Sequence, residues 1–76
     1  MSDGFIFDWT RTDLAGRIHV TSDPTHKGEN AAFRLSDCSL KLETFLQNND
    51  TPPSVSVTFD LFKESGTLRA RNVDAV

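Results

Sequence analysis

Residues 54–63 read SVSVTFDLFK, and this stretch decides the fold. Apolar residues occupy every second position within it, namely Val55, Val57, Phe59 and Leu61. Polar residues alternate with them. Because successive side chains of a β-strand point to opposite faces, this pattern predicts a strand with one apolar row facing a core.

The rest of the chain has the same character. Short stretches rich in β-branched and aromatic residues alternate with clusters of Gly, Asp, Asn, Pro and Ser, which is typical of an all-β domain. Strands are predicted at residues 5–10, 16–21, 31–35, 54–63 and 68–73. Asp-Pro and Gly within residues 22–28 favour a turn, and residues 64–67 fit a hairpin turn.

Residues 39–46 fit two interpretations. Leu40 and Leu42 suit a strand, whereas Leu42, Phe45 and Leu46 have the i, i+3, i+4 spacing of a helix. We favour one or two helical turns, followed by an exposed loop over residues 47–53 that contains two prolines. A five-stranded sheet this short can bury a core only by curling onto itself. The sequence therefore predicts one domain over residues 1–76, an all-β, small five-stranded antiparallel barrel.

Strand alternation assigns the outward face of the predicted barrel. Ile18 and Val20 of the second strand and three residues of the third, Ala31, Phe33 and Leu35, are predicted to face inward. The outward positions of these two strands are then Arg17, His19, Ala32 and Arg34. The first strand alternates less cleanly, because Phe5, Phe7 and Trp9 share one face while Ile6 lies on the other, and this irregularity points to a bulge.

Composition restricts the class of protein. The chain has 76 residues and a formal net charge of −3, which argues against a strongly electrostatic nucleic-acid binder. Four arginines nevertheless lie on predicted strands, namely Arg17, Arg34, Arg69 and Arg71. No apolar run approaches the roughly 20 residues that cross a bilayer, and the first residues do not resemble a signal peptide. We therefore expect a cytoplasmic protein with no membrane partner.

Catalysis finds no support in the residue pattern. The chain has two histidines and the single Cys38, and no nucleophile is paired with a base and an orienting third group. Cys/His clusters at metal-ligand spacing do not occur in the sequence. We therefore expect a protein that is not an enzyme, with no metal and no cofactor, and with Cys38 as a small buried hydrophobe unable to form an intramolecular disulfide.

Three groups of residues carry a resemblance to a known family. The first stretch, residues 4–18, matches a family pattern at Gly4, Ile6, Trp9, Gly16 and Ile18. Residues 30–36 fall on a second motif, and residues 55–59 with Gly66 on the closing strands. The most specific match is the terminal Ala70-Arg71-Asn72-Val73. By these residues the chain resembles the cold-shock domain, which implies an OB-type barrel that binds single-stranded RNA or DNA.

The departures from that family concern its ligand-binding residues. Members bind bases by stacking them on outward aromatic rings, each worth roughly 1 to 3 kcal/mol per base. In this sequence the corresponding positions are Asp8, Ala15, Arg17, Ala32 and Arg34. The chain thus resembles a divergent member that has kept the scaffold and lost most of the aromatic motif.

Two functions follow as hypotheses. In the first, Arg17 and Arg34, with Trp9 and His19, bind single-stranded nucleic acid weakly and with little sequence dependence, because arginine pairs with phosphate and stacks on bases. A simpler interpretation of the same arginines is that they keep an exposed face soluble.

In the second hypothesis the barrel is a protein-interaction module that has lost nucleic-acid binding, anchored by Phe7, Trp9 and Phe62. For Arg69 and Arg71 on the last strand, protection of a sheet edge is the favoured interpretation.

Overall fold

The computed structural model describes residues 2–48 and 55–76. Within these residues the chain forms five strands, one short 3₁₀ turn and one α-helix. The strands are β1 (Ser2–Thr10), β2 (Ala15–Val20), β3 (Asn30–Arg34), β4 (Val55–Glu64) and β5 (Thr67–Ala75). The 3₁₀ turn spans Leu35–Asp37, and the helix α1 spans Leu40–Gln47 between β3 and β4.

The strands close into a barrel in the order β1-β2-β3-β5-β4. The predicted small five-stranded barrel is confirmed, including the short helix between the third and fourth strands. Four pairings are antiparallel, and the pairing of β3 with β5 is parallel. This parallel contact arises because the chain crosses through α1 and then adds β5 beside β3, a long-range step that local patterning does not reveal.

The core lies inside the barrel and contains the predicted apolar rows. Val57 and Phe59 of β4 are fully buried, and Val55 and Leu61 pack against the same cluster. The inward residues predicted for β2 and β3 are also buried, namely Ile18, Val20, Ala31, Phe33 and Leu35. Period-two alternation therefore predicted the inside of these three strands correctly.

A bulge in β1 decides the position of Trp9. The β1–β2 register shifts between Ile6 and Asp8, which leaves Phe7 as the extra residue, with 44% of its surface exposed. Because an extra residue resets the alternation, Ile6 and Trp9 both face the core although they are three positions apart. The expected bulge is present, but the expectation that Trp9 shares a face with Phe7 is wrong.

The helix α1 covers one end of the barrel. Its N-cap is Ser39, whose hydroxyl oxygen accepts a hydrogen bond from the backbone N–H of Leu42 at 3.3 Å. Leu42 and Leu46, four residues apart on one helical face, are both buried. The prediction of a short helix is confirmed. Of the loop expected over residues 47–53, positions 49–53 lie outside the described residues, as does Ser54 of the predicted fourth strand.

Two turns have the backbone geometry that their residues favour. Ser65 and Gly66 join β4 to β5 with φ values of 52° and 81°. Positive φ at both central positions is the geometry of the tightest hairpin turn, which glycine accepts without strain. In the β2–β3 connection the backbone N–H of Thr25 donates to Asp23 at 2.9 Å and lowers the pKa of that carboxyl.

Candidate nucleic-acid interface

A shallow groove of about 260 Å³ lies on the outer side of the barrel, and residues of β1, β2, β3 and β5 line it. Its charged lining residues are Asp8, Asp13, Arg17, Arg34 and Arg69. Ala15 and Ala32, the cross-strand partners of Arg34 and Arg17, contribute to the lining as well. Because both side chains are short, the bottom of the groove lies close to the backbone, and the longer arginine side chains line it.

Cross-strand register places these arginines on one face. Arg17 of β2 is the partner of Ala32 in β3, and Arg34 of β3 is the partner of Ala15 in β2. Directly opposed residues of neighbouring strands point to the same side of a sheet. The two arginines predicted as site residues are therefore brought together on the outer surface, as alternation indicated.

Arg17 retains access to solvent. Its Nε lies 3.7 Å from Asp8 Oδ2, and the two side chains are 62% and 49% exposed. An exposed ion pair of this kind contributes about 0–1 kcal/mol, because water screens the charges and ordering the side chains costs entropy. A phosphate group can therefore displace Asp8 at little cost.

His19 lies on the same strand and face as Arg17, two residues further along β2, and is half-buried. Its ring centroid is 5.2 Å from that of Phe5, with an interplanar angle of 38°. Its Nδ1 lies 3.3 Å from Asn30 Oδ1. Phe5 and His19 together form a small aromatic surface beside the groove.

Trp9, predicted from the sequence as a nucleic-acid-binding residue, does not line this groove and lies in the core. Only 5% of Trp9 is exposed, and its ring stacks on Phe33 at a centroid distance of 5.7 Å and 12° between planes. The indole Nε1–H donates to the backbone carbonyl of Leu46 at 3.1 Å. A buried ring with one face stacked and its N–H hydrogen-bonded cannot stack on a base without opening the core.

Sequence reasoning missed two residues of the site, Phe5 and Arg69. Phe5 was grouped with Phe7 and Trp9, but its cross-strand partner is His19, which places it on the outer face. Arg69 was interpreted as protection of a sheet edge, an interpretation that is wrong because β5 has β4 on one side and β3 on the other. The register of β5 against β3, which no local pattern encodes, was the missing signal.

Close approach of β1 and β2 shapes one wall of the groove. A Cβ atom at Gly16 would lie 2.4 Å from the carbonyl oxygen of Asp8 and 3.0 Å from the ring of Phe33. Real side chains do not tolerate such distances, so this position requires glycine. This close approach lies next to the bulge of β1, where Asp8 is the cross-strand partner of Arg17.

Cys38 lies apart from the groove, next to the 3₁₀ turn, and packs against the core. Its thiol lies 3.6 Å from the backbone carbonyl oxygen of Arg34, to which it donates. Burial raises the pKa of Cys38 to about 12, and the nearby charges of Asp37 and Glu43 act in the same direction. The thiol is therefore protonated at neutral pH and a poor nucleophile.

Neither a metal cluster nor a membrane-spanning helix occurs in the described ranges. Among residues 2–48 and 55–76, no group of three or more His, Cys, Asp or Glu side chains is placed to hold a metal ion. Over the same residues, no helix combines the length and the apolar character that crossing a membrane requires.

No family model matches this sequence, and no curated protein matches it. We therefore infer the function from the groove and its residues.

Proposed function

We propose that this protein binds single-stranded RNA or DNA weakly and largely without sequence dependence, and that the outer groove is the binding surface. The observation that carries the proposal is the convergence of Arg17, Arg34 and Arg69 from three strands on one groove. With Asp8 and Asp13 included, the charged lining has a net charge of +1 in a chain with a net charge of −3, which is a local excess of positive charge.

The chemistry of the groove suits a flexible polyanion. Guanidinium groups pair with phosphate oxygens through two parallel hydrogen bonds and also stack on the planes of bases. Phe5 and His19 supply a stacking surface next to Arg17. Because backbone contacts and stacking tolerate every base, the binding should show little sequence preference.

The cold-shock domain remains the family that we propose for the chain, in a divergent form. The closed barrel agrees with the OB-type architecture that this resemblance implies. In this form arginines occupy positions where the family has stacking rings, and Trp9 supports the core. The proposal is one of binding without catalysis and without a cofactor.

A cytoplasmic location is part of the same proposal. Its support is that Cys38 has no second cysteine with which to form an intramolecular bridge, which suits a reducing compartment.

A protein-interaction module is the second candidate, and one observation favours it. Phe7 is 44% exposed at the bulge of β1, where a partner protein could cover it. The other two anchors predicted for such a module have less support, since Trp9 is buried and Phe62 already contacts Arg71. Loss of partner capture with Phe7→Ser, but not with Arg17→Ala, would favour this function over nucleic-acid binding.

Titration with a fluorescently labelled oligopyrimidine at low salt tests the main proposal. We expect binding at tens of micromolar protein or below, and a clear loss in the double variant Arg17→Ala with Arg34→Ala. A matched control is Lys27→Ala with Lys41→Ala, which removes two positive charges outside the groove. Absence of binding by the wild-type protein, or equal binding by the two double variants, would reject the proposal.

A further inference from the structure

One row of residues crosses the outer surface of all five strands. Each member is the cross-strand partner of the next, and in spatial order they are Asp8, Arg17, Ala32, Arg69 and Phe62. The row begins on β1, passes through the groove on β2 and β3, and reaches β5 and β4 beyond it. The surface that carries Arg17 therefore continues onto the β4–β5 hairpin.

The middle of the row is low and basic. Ala32 stands between Arg17 and Arg69, and neighbouring strands are about 4.8 Å apart, so the two arginine Cα atoms lie about 10 Å from each other. The Arg69 side chain is only 14% exposed, and its Nε lies 4.0 Å from Glu64 Oε1. It supplies positive charge to the floor of the groove, where a phosphate passing over Ala32 would come within reach.

The far end of the row carries a cation on an aromatic ring. The guanidinium carbon of Arg71 lies 4.9 Å from the ring centroid of Phe62. Such an arrangement orients the guanidinium through the charge distribution of the ring. Arg71 is exposed and Phe62 is half-buried, so this pair offers a positively charged stacking surface to solvent.

We propose that the binding surface extends across β5 onto this Arg71–Phe62 pair, so that a single strand of nucleic acid runs across the strands from Arg17 past Arg69 and stacks its last base there. This inference rests on the proposed function. It predicts a second anchor on the hairpin, used only by oligonucleotides long enough to cross the barrel.

Two oligothymidines, one of about four and one of about eight nucleotides, distinguish the groove from the Arg71–Phe62 pair, because only the longer one can reach both. Single OB-type barrels occupy roughly 4 to 16 nucleotides. Binding is measured by fluorescence anisotropy at low salt for the wild-type protein and for Arg71→Gln. The matched control is Lys63→Gln, which removes one positive charge from the neighbouring residue of Phe62 on β4. Circular dichroism verifies that each variant is folded.

We expect Arg71→Gln to weaken binding of the octamer about fivefold or more, because the octamer reaches the second anchor and loses one stacked base there. Binding of the tetramer, which does not reach that anchor, should weaken less than twofold. Lys63→Gln should change octamer binding by less than twofold. If Arg71→Gln proves unstable, Phe62→Leu is the second test of the anchor, because it removes the ring and keeps an apolar residue at this site. It should weaken octamer binding to the same degree.

The outcomes distinguish this extension from the function on which it rests. If both oligomers bind and Arg71→Gln has no more effect on the octamer than Lys63→Gln, the extension is wrong and the groove remains the binding surface. Equal losses for tetramer and octamer would also overturn the second anchor. If neither oligomer binds to the wild-type protein, the proposed function fails and the extension fails with it.

Discussion

Replacement of Trp9 by phenylalanine distinguishes a core residue from a base-stacking residue. The substitution removes the hydrogen bond from the indole to the carbonyl of Leu46, at 3.1 Å, which is worth about 1 kcal/mol. The smaller ring also leaves a gap in the stack on Phe33, costing about 1 kcal/mol more. We therefore expect the free energy of unfolding to fall by about 2 kcal/mol, the sum of these two terms.

In a domain of this size, about 2 kcal/mol corresponds to a decrease in Tm of roughly 8–16 °C. Thermal unfolding followed by far-ultraviolet circular dichroism measures it without relying on the lost fluorophore. Phe7→Leu is the matched control, since Phe7 is largely exposed on the same strand and its replacement should shift Tm by only a few degrees. At a temperature where Trp9→Phe is fully folded, its affinity for oligopyrimidine should equal that of the wild-type protein. An unchanged Tm together with lost binding would refute the assignment of Trp9 to the core.

Three further predictions concern the scaffold. Gly16→Ala should lower the free energy of unfolding by about 1–3 kcal/mol, because its Cβ would meet the Asp8 carbonyl at 2.4 Å; urea unfolding showing wild-type stability would contradict this close approach. Ser39→Ala removes the N-cap of α1 together with the hydrogen bond that the same hydroxyl donates to Asp74 Oδ1 at 2.7 Å, and should cost about 1–2 kcal/mol; a loss below about 0.3 kcal/mol in the same assay would argue against both contacts. Burial raises the pKa of Cys38 from 9.0 to about 12, so the thiol ionises in the unfolded chain before it ionises in the folded one. The free energy of unfolding should therefore fall as pH rises from about 9 to 12. In Cys38→Ala that part of the pH dependence should disappear, and an identical alkaline profile in both proteins would contradict the raised pKa.

The sequence predicted best what depends on local alternation. Val57 and Phe59, like Ile18 and Val20, are buried as their spacing indicates, because a strand with one apolar face has a single favourable orientation. The short helix was also predictable, since Leu42 and Leu46 are spaced for one helical face. With five strands and one short helix, closure into a barrel followed from the need to bury that apolar surface.

What the sequence could not predict depends on long-range register. The bulge at Phe7 was suggested by the irregular pattern of β1, but its position, which turns Trp9 inward, becomes clear only when Asp8 is seen opposite Arg17. Arg69 likewise joins the groove through the parallel pairing of β5 with β3, and this contact connects residues 37 positions apart. Three of the four predicted site residues, Arg17, His19 and Arg34, were accessible from alternation because they lie on strands whose faces were assigned correctly.

The salt dependence of oligonucleotide binding tests the central claim most directly. If Arg17 and Arg34 each contact one phosphate, log Kobs should fall linearly with log salt concentration, with a slope of about −0.7 for each contact. The variant carrying Arg17→Gln and Arg34→Gln should then bind an octathymidine more weakly, with a slope less steep by about 1.4. The charge-matched variant Lys27→Gln with Lys41→Gln should keep the wild-type slope. Binding whose slope is the same in the wild-type and the arginine variant would contradict the claim that these arginines form a nucleic-acid interface.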